Sequence, residues 1–448
     1  MRILQVHNRH RSNSPSGEDR VVDQEAAALV AHGHAVERFE RANDVIDQWS
    51  STKKALVSAR VLWDDGARRD LAETIRRNRP DVVHIHNTFP LISPSVLLAC
   101  RTAGLPAVVT VHNYRMICPS GAMFRGESIC RDCVGRFPLP AIRHGCYHDS
   151  RLESLPAAAA LVAHRRMWRT FPSAYIFISH AQRRQFSSLR LPENRVFVKT
   201  NLVPATELCS ATPRHMVLYA GRLIPSKGID ILLTAWDRYT AANPMGRLKL
   251  VIAGAGPLED RVAVWASSRT SVEMTGLVSR NECATLTASA RAVIVPSTWE
   301  EGFGLIAVEA MAAGVPPVAS ARGAFPELIE HAVDGVLFDA RDPFALARIF
   351  AEIDEFPDRY ARYGREARRT YERRFSPDTN VEQLIDIYRF ALEHPVLKLK
   401  THSEISVAEP WPASEERHEL NGARGCQAAS GAKHPMPTRS RPIFDGSP

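Results

Sequence analysis

Short apolar runs rich in β-branched residues recur along the chain, and each is followed by a polar turn and a segment with helical spacing. Runs of this length and composition are typical of buried strands. They predict strands at residues 3–6, 81–86, 106–111, 174–179, 216–220, 248–253, 272–274 and 292–295. The alternation of strands and helices predicts an α/β fold, in which ligands bind at the carboxyl ends of the strands.

The chain of 448 residues is too long for one ordinary core and predicts two domains. A stretch rich in Pro, Thr, Ser and Asn interrupts the pattern at about residue 200 and is the predicted linker. The predicted organisation is a first domain at residues 1–200, a linker at 201–213, a second domain at 214–374, a final amphipathic helix at 375–393 and a disordered polar tail at 394–448.

The segment of residues 296–320 reads PSTWEEGFGLIAVEAMAAGVPPVAS and follows the predicted strand at 292–295. Its glycines predict a turn and then a helix, an arrangement that points backbone N–H groups at an anion. Glu301 and Glu309 lie on it with seven residues between them. Either they serve as a helix cap and a salt bridge, or they accept hydrogen bonds from the hydroxyls of a bound polyol.

A second glycine turn, GRLIPSKG at residues 221–228, places Arg222 and Lys227 before a helix. A close backbone approach and two cations are what a diphosphate requires. The spacing is not that of a P-loop. A further turn, GAGPLED, has Gly254 and Gly256 but lacks the third glycine of a dinucleotide fingerprint.

In the first half, His112 follows the predicted strand at 106–111. A lone histidine is more often structural, but the ends of strands in open α/β sheets line the ligand crevice. Gly17 and Glu18, in the turn PSGED after the first strand, are further candidates for lining this crevice. The two histidines inside the strand at 81–86 are interpreted as packed.

Four cysteines fall in one irregular insertion, residues 116–148, which has too few large apolar residues to build its own core. They are Cys118, Cys130, Cys133 and Cys146. Four thiols in this composition indicate a zinc-stapled loop, although only one CxxC pair is present. The alternative is a loop with free thiols.

The net charge of +8 is concentrated in the first half, where Lys53, Lys54, Arg60, Arg68, Arg69, Arg76, Arg77 and Arg79 lie close together. This cluster is a solvated helix face, a contact for an anionic membrane or a site for another anionic partner. No nucleic-acid motif accompanies it, so nucleic acid is not expected. With no apolar run of membrane-spanning length and no secretory signal, we expect a cytoplasmic protein with reduced cysteines.

The pattern PS…EGFGL…EAMA.G.P in residues 296–316, with GR…KG and G.GP before it, resembles the retaining family 4 glycosyltransferases, the glycosyl transferases group 1. The resemblance implies the α/β GT-B fold: two Rossmann-like, doubly wound domains that face a cleft, with a C-terminal helix crossing back to the first domain. It implies acceptor binding by the first domain and nucleotide-sugar binding by the second. Cysteine-bearing insertions occur in some family members.

The resemblance also implies residue roles. Glu301 contacts the donor sugar and Glu309 the ribose, Arg222 and Lys227 hold the diphosphate, and His112 reaches the donor sugar. The implied catalytic residues are therefore His112, Glu301, Arg222 and Lys227. The implied donor and nucleotide site comprises Gly17, Gly221, Arg222, Lys227, Gly254, Gly256, Glu301, Gly302, Phe303, Gly304, Leu305 and Glu309. The chain departs from the family at Pro317, so we expect the next strand to start one residue late.

The expected activity is retaining transfer of a sugar from a UDP- or GDP-sugar to a glycan or lipid-linked glycan acceptor in cell-surface polysaccharide biosynthesis. Because no DxD motif is present, we expect catalysis without a metal and no required cofactor besides a structural zinc. The family analogy and the basic first domain place the acceptor at the inner face of the plasma membrane, with peripheral contact to anionic lipid. The alternatives are a nucleotide-sugar epimerase of the same fold and an inactive sugar-binding scaffold.

Overall fold

The computed structural model describes residues 1–12, 16–50, 57, 59–205, 215–342 and 344–396. Most of the predicted linker and nearly all of the predicted tail lie outside the described residues. The domain bounds given above therefore stay predictions.

The first half of the chain forms a six-stranded sheet in which all strands are parallel and follow the order β2-β1-β3-β4-β7-β8. Its strands are β1 (Arg2–Arg9), β2 (Ala35–Ala42), β3 (Val82–Asn87), β4 (Ala107–Val111), β7 (Ala174–Phe177) and β8 (Val196–Val198). A separate two-stranded antiparallel hairpin, β5 (Phe124–Arg125) and β6 (Ser128–Ile129), lies in the cysteine-bearing insertion.

The second half repeats this architecture with the parallel order β11-β10-β9-β12-β13-β14. Its strands are β9 (Met216–Ala220), β10 (Lys249–Ala253), β11 (Val272–Gly276), β12 (Ala292–Val295), β13 (Pro317–Ser320) and β14 (Val336–Phe338). The central strands are buried, as expected for parallel sheets with helices on both faces. The predicted α/β, doubly wound architecture is confirmed.

Helices connect the strands. In the first half they are α1 (Gly17–Ala31), α2 (Asp44–Asp47), α3 (Asp65–Asn78), α4 (Val96–Ala103), α5 (Leu139–Arg143), α6 (Arg151–Thr170) and α7 (His180–Gln185), with 3₁₀ turns at Ser187–Leu189 and Glu193–Arg195. In the second half they are a 3₁₀ turn at Pro225–Lys227, α8 (Ile229–Ala242), α9 (Glu259–Ser267), α10 (Arg280–Ser289), α11 (Leu305–Ala312), α12 (Phe325–Leu328), α13 (Ala345–Glu355), α14 (Pro357–Arg374) and α15 (Pro377–Glu393).

The last helix, α15, packs on the first sheet although it follows the second sheet in sequence. Leu384 and Tyr388 are buried in one cluster with Ile3 and Val108 of the first sheet. Burial of this apolar face holds the C-terminal helix against the N-terminal half.

Two local features set where the elements near the cleft begin and how closely they approach. Ser16 and Asp19 form a capping box that starts α1, because each side chain accepts a hydrogen bond from the other residue's backbone N–H. Gly254 has a φ of +146°, and a Cβ there would lie 1.9 Å from the carbonyl oxygen of Gly221. Only glycine therefore allows the turns after β9 and β10 to pack together.

The expectation that the strand after residue 316 starts late was wrong, since β13 begins at Pro317. Pro317 lies opposite Val293 of β12. The Val293 N–H donates to the carbonyl of Pro316. Proline lacks a backbone N–H but keeps its carbonyl, so this hydrogen bond to β12 can still form.

Candidate active site

Both sheets reverse strand order at one point, and ligands of open α/β sheets bind at the carboxyl ends of strands beside such a point. In the first sheet the reversal lies between β1 and β3, and in the second it lies between β9 and β12. The turn with Arg222 and Lys227 follows β9, and the turn with Glu301 follows β12. The two turns singled out in the sequence are therefore neighbours at one switch point.

Glu301 is a buried carboxylate, with only 6% of its surface exposed. Its Oε1 accepts hydrogen bonds from Lys227 Nζ and, at 2.9 Å, from Ser297 Oγ. Burial alone would raise the pKa of Glu301, but the Lys227 ammonium and these hydrogen bonds lower it. The backbone is also fixed, because the carbonyl of Glu301 accepts from the Ala324 N–H at 2.9 Å. Glu301 is thus an ionised acceptor held in one position.

The two cations of the diphosphate turn have different surroundings. Lys227 is partly buried, pairs with Glu301 and lies 5.3 Å from the centre of the Trp299 ring. Arg222 is exposed and forms no ion pair with another described residue. The family resemblance assigns Lys227 and Glu301 to separate parts of the ligand, whereas the two side chains pair directly in the structure.

Glu309 lies on α11 and pairs with a residue from the other half of the chain. Arg20 Nη1 of α1 donates to Glu309 Oε1 at 3.1 Å, and both side chains are partly exposed. The first residues of α1 and α11 also touch, since a Cβ on Gly17 would lie 3.2 Å from Leu305 Cδ1. Sequence reasoning missed Arg20. Its place three residues after Gly17, in the turn expected to line the crevice, was the available signal.

His112 stands at the end of β4 against a second histidine. Its Nε2 lies 3.0 Å from His86 Nδ1, and the two rings stack with centres 5.3 Å apart. Burial and nearby cationic groups lower the pKa of His112 to about 3, so the ring is neutral at ordinary pH. One ring must donate and the other accept, which makes His86 the residue that sets the tautomer of His112.

Below His86 lies a buried cluster of charged and polar side chains that sequence reasoning missed. Glu25 of α1 is 2% exposed. Its carboxylate lies 3.2 Å from His84 Nδ1, 3.4 Å from His86 Nε2 and 3.7 Å from Lys199 Nζ. Burial opposes ionisation, but His84 and Lys199 lower the pKa of Glu25 to about 2. Tyr388 of α15 joins the cluster through its hydroxyl, 2.7 Å from His84 Nδ1.

Glu25, His84 and His86 are also the described residues whose three potential ligand atoms lie within 4.8 Å of one another. The Lys199 ammonium already balances the Glu25 carboxylate there. A divalent cation would have to displace it at high electrostatic cost. The cluster holds α15 through the Tyr388 hydroxyl on His84 and packs beneath His86.

The turn with Glu301 is fastened to the first half of the chain on two sides. Tyr114 Oη donates to the carbonyl of Glu300 at 2.9 Å, and Ser179 Oγ donates to the carbonyl of Gly302 at 2.7 Å. Arg131 of the insertion lies 3.4 Å from the Glu300 carboxylate. Movement of the first half would therefore shift the backbone of the Glu301 turn.

Other predicted donor-site residues are placed as follows. Gly221, Gly254 and Gly256 pack against one another's turns at the ends of β9 and β10. Gly304 is the N-cap of α11, with a φ of +91° that glycine tolerates. Phe303 is buried and lies edge-to-face with Phe375, 6.2 Å between ring centres. Its side chain belongs to the core, so only its backbone is available to a ligand.

A cavity that is partly open to solvent lies at the ends of β3 and β4 in the first half. His112 and Asn113 form its polar side, and Leu161 and Trp168 of α6 form part of its apolar side. Arg115 also lines it, 3.9 Å from the centre of the Phe89 ring. A ligand with both hydroxyl and apolar surface would fit this lining.

The basic cluster is partly neutralised. Lys53 and Lys54 lie outside the described residues. Arg60 pairs with Asp64 at 3.7 Å, and Arg68 and Arg69 pair with Asp65 at 2.7 and 3.2 Å. The remaining positive charge lies at the C-terminal end of α3 and just after it, on Arg76, Arg77 and Arg79. There it interacts favourably with the helix dipole and with solvent. No helix in the described part of the chain is long and apolar enough to cross a membrane.

Each half of the chain matches a glycosyltransferase family model. Residues 16–201 match the glycosyl transferase 4-like domain, and residues 208–370 match glycosyl transferases group 1. With the two parallel sheets, these matches show a glycosyl transferase 4-like domain followed by a glycosyl transferases group 1 domain, in the GT-B fold.

Two curated relatives match about two fifths of the chain. An uncharacterised glycosyltransferase of Methanocaldococcus jannaschii is 31% identical over 182 residues, which is 40% of this chain and 45% of that protein. A D-inositol 3-phosphate glycosyltransferase of a Nocardioides species is 34% identical over 196 residues, 39% of this chain and 42% of that protein. The matched part spans less than half the length of each relative.

Solved structures share the fold over most of the chain. Anabaena HepE in complex with UDP is 20% identical with a TM-score of 0.58, covering 86% of this chain and 99% of that chain. Sucrose-phosphate synthase of Thermosynechococcus elongatus is 18% identical with a TM-score of 0.63, covering 87% and 98%. At these identities the likeness shows the fold alone.

The buried histidines predict a loss of stability in acid. Burial lowers the pKa of His86, His112 and His164 below the usual value of about 6.5. As pH falls through 6.5, the unfolded chain takes up protons that the folded chain refuses, so the free energy of unfolding decreases. Each imidazole contributes about 1.4 kcal/mol per pH unit. Glu18, whose pKa burial raises, works weakly in the opposite sense.

Urea denaturation at a series of pH values between 7 and 5 measures this slope. A double variant, His86→Asn with His112→Asn, should show a shallower slope than the unaltered protein. A free energy of unfolding that stays constant over this range would contradict the assignment of neutral buried imidazoles.

Proposed function

We propose that the protein transfers a sugar from a nucleotide-sugar donor to a glycan or lipid-linked glycan acceptor with retention at the anomeric carbon. The observation that carries this proposal is the Glu301 turn. It presents an ionised carboxylate, held by Lys227 and Ser297, beside the start of helix α11 at the switch point of the second sheet. A fixed anionic acceptor next to an anion-binding helix end suits a sugar joined to a phosphate.

In this proposal the nucleotide diphosphate lies at the turn after β9, where Arg222 and Lys227 supply positive charge. Lys227 would then be shared between the phosphate and Glu301. Glu309, held by Arg20 at 3.1 Å, would accept from the ribose hydroxyls. Anabaena HepE, which shares the fold, has been solved with UDP-glucose. We propose a UDP- or GDP-sugar as the donor.

The proposed chemistry requires no protein nucleophile. The bond between the anomeric carbon and the diphosphate oxygen breaks while the acceptor oxygen bonds to the same face of that carbon. The proton of the acceptor hydroxyl passes to the departing phosphate. Arg222, Lys227 and the N-terminal end of α11 stabilise the negative charge that develops there. Neutral His112 would hydrogen-bond the donor sugar. No DxD motif is present to hold a divalent cation on the diphosphate, so we propose catalysis without a metal.

The acceptor would enter the cavity at the ends of β3 and β4, which reaches His112. Its mixed polar and apolar lining supports an acceptor that combines a glycan with a lipid or another apolar group. Cell-surface polysaccharide synthesis is the process in which such acceptors are used, and we propose it as the setting.

A panel of UDP- and GDP-sugars tests the donor assignment by thermal shift, because a ligand bound to the folded state raises the midpoint by mass action. We expect one nucleotide sugar to raise the melting midpoint clearly. Incubation of that donor with acceptor glycans should give a product whose anomeric configuration, measured by NMR, is the same as that of the donor. Conversion of the donor to its epimer without acceptor would favour the epimerase. Binding without any turnover would favour the scaffold.

Replacing Glu301 by Gln should lower kcat about 10²- to 10³-fold, because it removes a preorganised charge from the reacting sugar. The thermal shift with UDP or GDP alone should persist, since the nucleotide contacts remain. Glu330→Gln, at an exposed carboxylate outside the turn, is the matched control and should retain full activity. Unchanged turnover in Glu301→Gln would refute this role.

We also propose peripheral contact with an anionic membrane at the cytoplasmic face. The support is the group of Arg76, Arg77 and Arg79 at the C-terminal end of α3 and two exposed leucines on α6, Leu152 at 85% and Leu155 at 54%. Co-sedimentation should be stronger with vesicles containing anionic lipid than with zwitterionic vesicles, and should weaken in high salt. If the protein binds neither kind of vesicle, the proposed membrane contact is wrong.

A further inference from the structure

We propose that Cys118, Cys130, Cys133 and Cys146 form a four-thiolate zinc site whose CxxC turn braces the loop that carries Glu301. The four residues are spread over the insertion, yet the fold brings all of them to the lining of one small cavity. All four are free thiols. Ile117 and Val134 line the same cavity and shield it from solvent on the apolar side.

Local turns deliver each thiol to this cavity. The Cys118 N–H donates to the Tyr114 carbonyl at 2.8 Å and closes the turn that begins the insertion. The hairpin β5–β6 then reverses the chain, and the Cys130 N–H donates to the Met123 carbonyl at 2.8 Å. Cys146 follows α5, where its N–H donates to the Ala141 carbonyl at 2.9 Å. A hairpin before a CxxC turn, with further cysteines on neighbouring turns, is a common way to build a tetrahedral thiolate site.

The insertion also needs a source of folding free energy besides its own secondary structure. Between Asn113 and Ser150 the regular structure consists of two strands of two residues and one helix of five. Such a segment has little secondary structure of its own to offset the entropy of ordering it. Zinc bound to four thiolates supplies folding free energy directly.

No three of the four sulfur atoms fall within 4.8 Å of one another, so they lie farther apart than in a loaded site. Zinc–sulfur bonds of about 2.3 Å in a tetrahedron bring sulfurs to about 3.8 Å. Metal binding would therefore draw the turns inward. Irregular turns without a long helix or strand can make this adjustment.

The position of the site gives it a consequence for the proposed reaction. Arg131 lies between Cys130 and Cys133, and its guanidinium approaches the Glu300 carboxylate at 3.4 Å and Gln185 Oε1 at 3.2 Å. Tyr114, two residues before the insertion, donates to the Glu300 carbonyl. Glu301 is the next residue. A zinc-fixed CxxC turn would therefore hold the donor loop against the first half of the chain. This second part rests on the proposed function.

The metal is tested without any activity assay. Elemental analysis of the purified full-length protein should find about one zinc per chain, and Cys130→Ser and Cys133→Ser should lose it. Cys100→Ala is the matched control, because Cys100 is buried in α4 and does not line the cysteine cavity, so the zinc content should stay unchanged. A strong chelator should lower the melting midpoint of the unaltered protein. Absence of zinc, iron in its place, or a disulfide among these cysteines by mass spectrometry would overturn the site.

The brace is tested by Arg131→Ala. This variant should keep its zinc and weaken donor binding about two- to fivefold, the range expected for a partly exposed ion pair. Arg136→Ala, at an exposed arginine of the same insertion, is the control and should change neither property. Donor binding in Arg131→Ala equal to that of the unaltered protein would overturn the brace and leave the zinc site standing. If no nucleotide sugar binds the unaltered protein, the proposed function fails and the zinc measurement is unaffected.

Discussion

The cleft depends on a carboxylate that is buried and yet remains charged. Taking Glu301 out of water is costly unless cations and donors surround it. Lys227 and Ser297 meet that requirement, and they come from the turns after β9 and β12. The pair therefore ties two strand ends together at the switch point. The Ala324 N–H and the Ser179 hydroxyl also hold the backbone of this loop, so the Glu301 carboxylate stays within reach of its two partners.

The first half repeats this solution at a different place. Glu25 is buried beneath the carboxyl ends of β1 and β3 and is compensated by Lys199 and His84. A series of close side-chain contacts runs from Glu25 past His86 to His112 at the cleft. Because Tyr388 of the last helix bonds to His84, the same polar cluster anchors the C-terminal helix to the first sheet. Each half thus places a buried ion pair at or directly beneath its ligand crevice.

Contacts between the halves then converge on the donor loop and on helix α11. Arg20 reaches Glu309, Tyr114 reaches Glu300, and Ser179 reaches Gly302. Each contact uses a polar side chain from the first half and a group beside the Glu301 turn. A change in the position of either half would alter the geometry of Glu301 and Glu309 together.

Periodicity and glycine turns in the sequence determined most of the strands, although not β2 (Ala35–Ala42), together with the helix after Glu301 and the turns with Gly254 and Gly304. These features depend on neighbours along the chain. They also determined the parallel α/β class. Only the tertiary structure decided which groups pair: Arg20 and Glu309 are 289 residues apart, and Tyr114 and Glu300 are 186 apart. Nothing local marks Glu25 or Lys199 as buried partners, and nothing local shows that Phe303 faces the core. Such pairings arise because folding brings distant elements to the same strand ends, where an unpaired buried charge would be unstable.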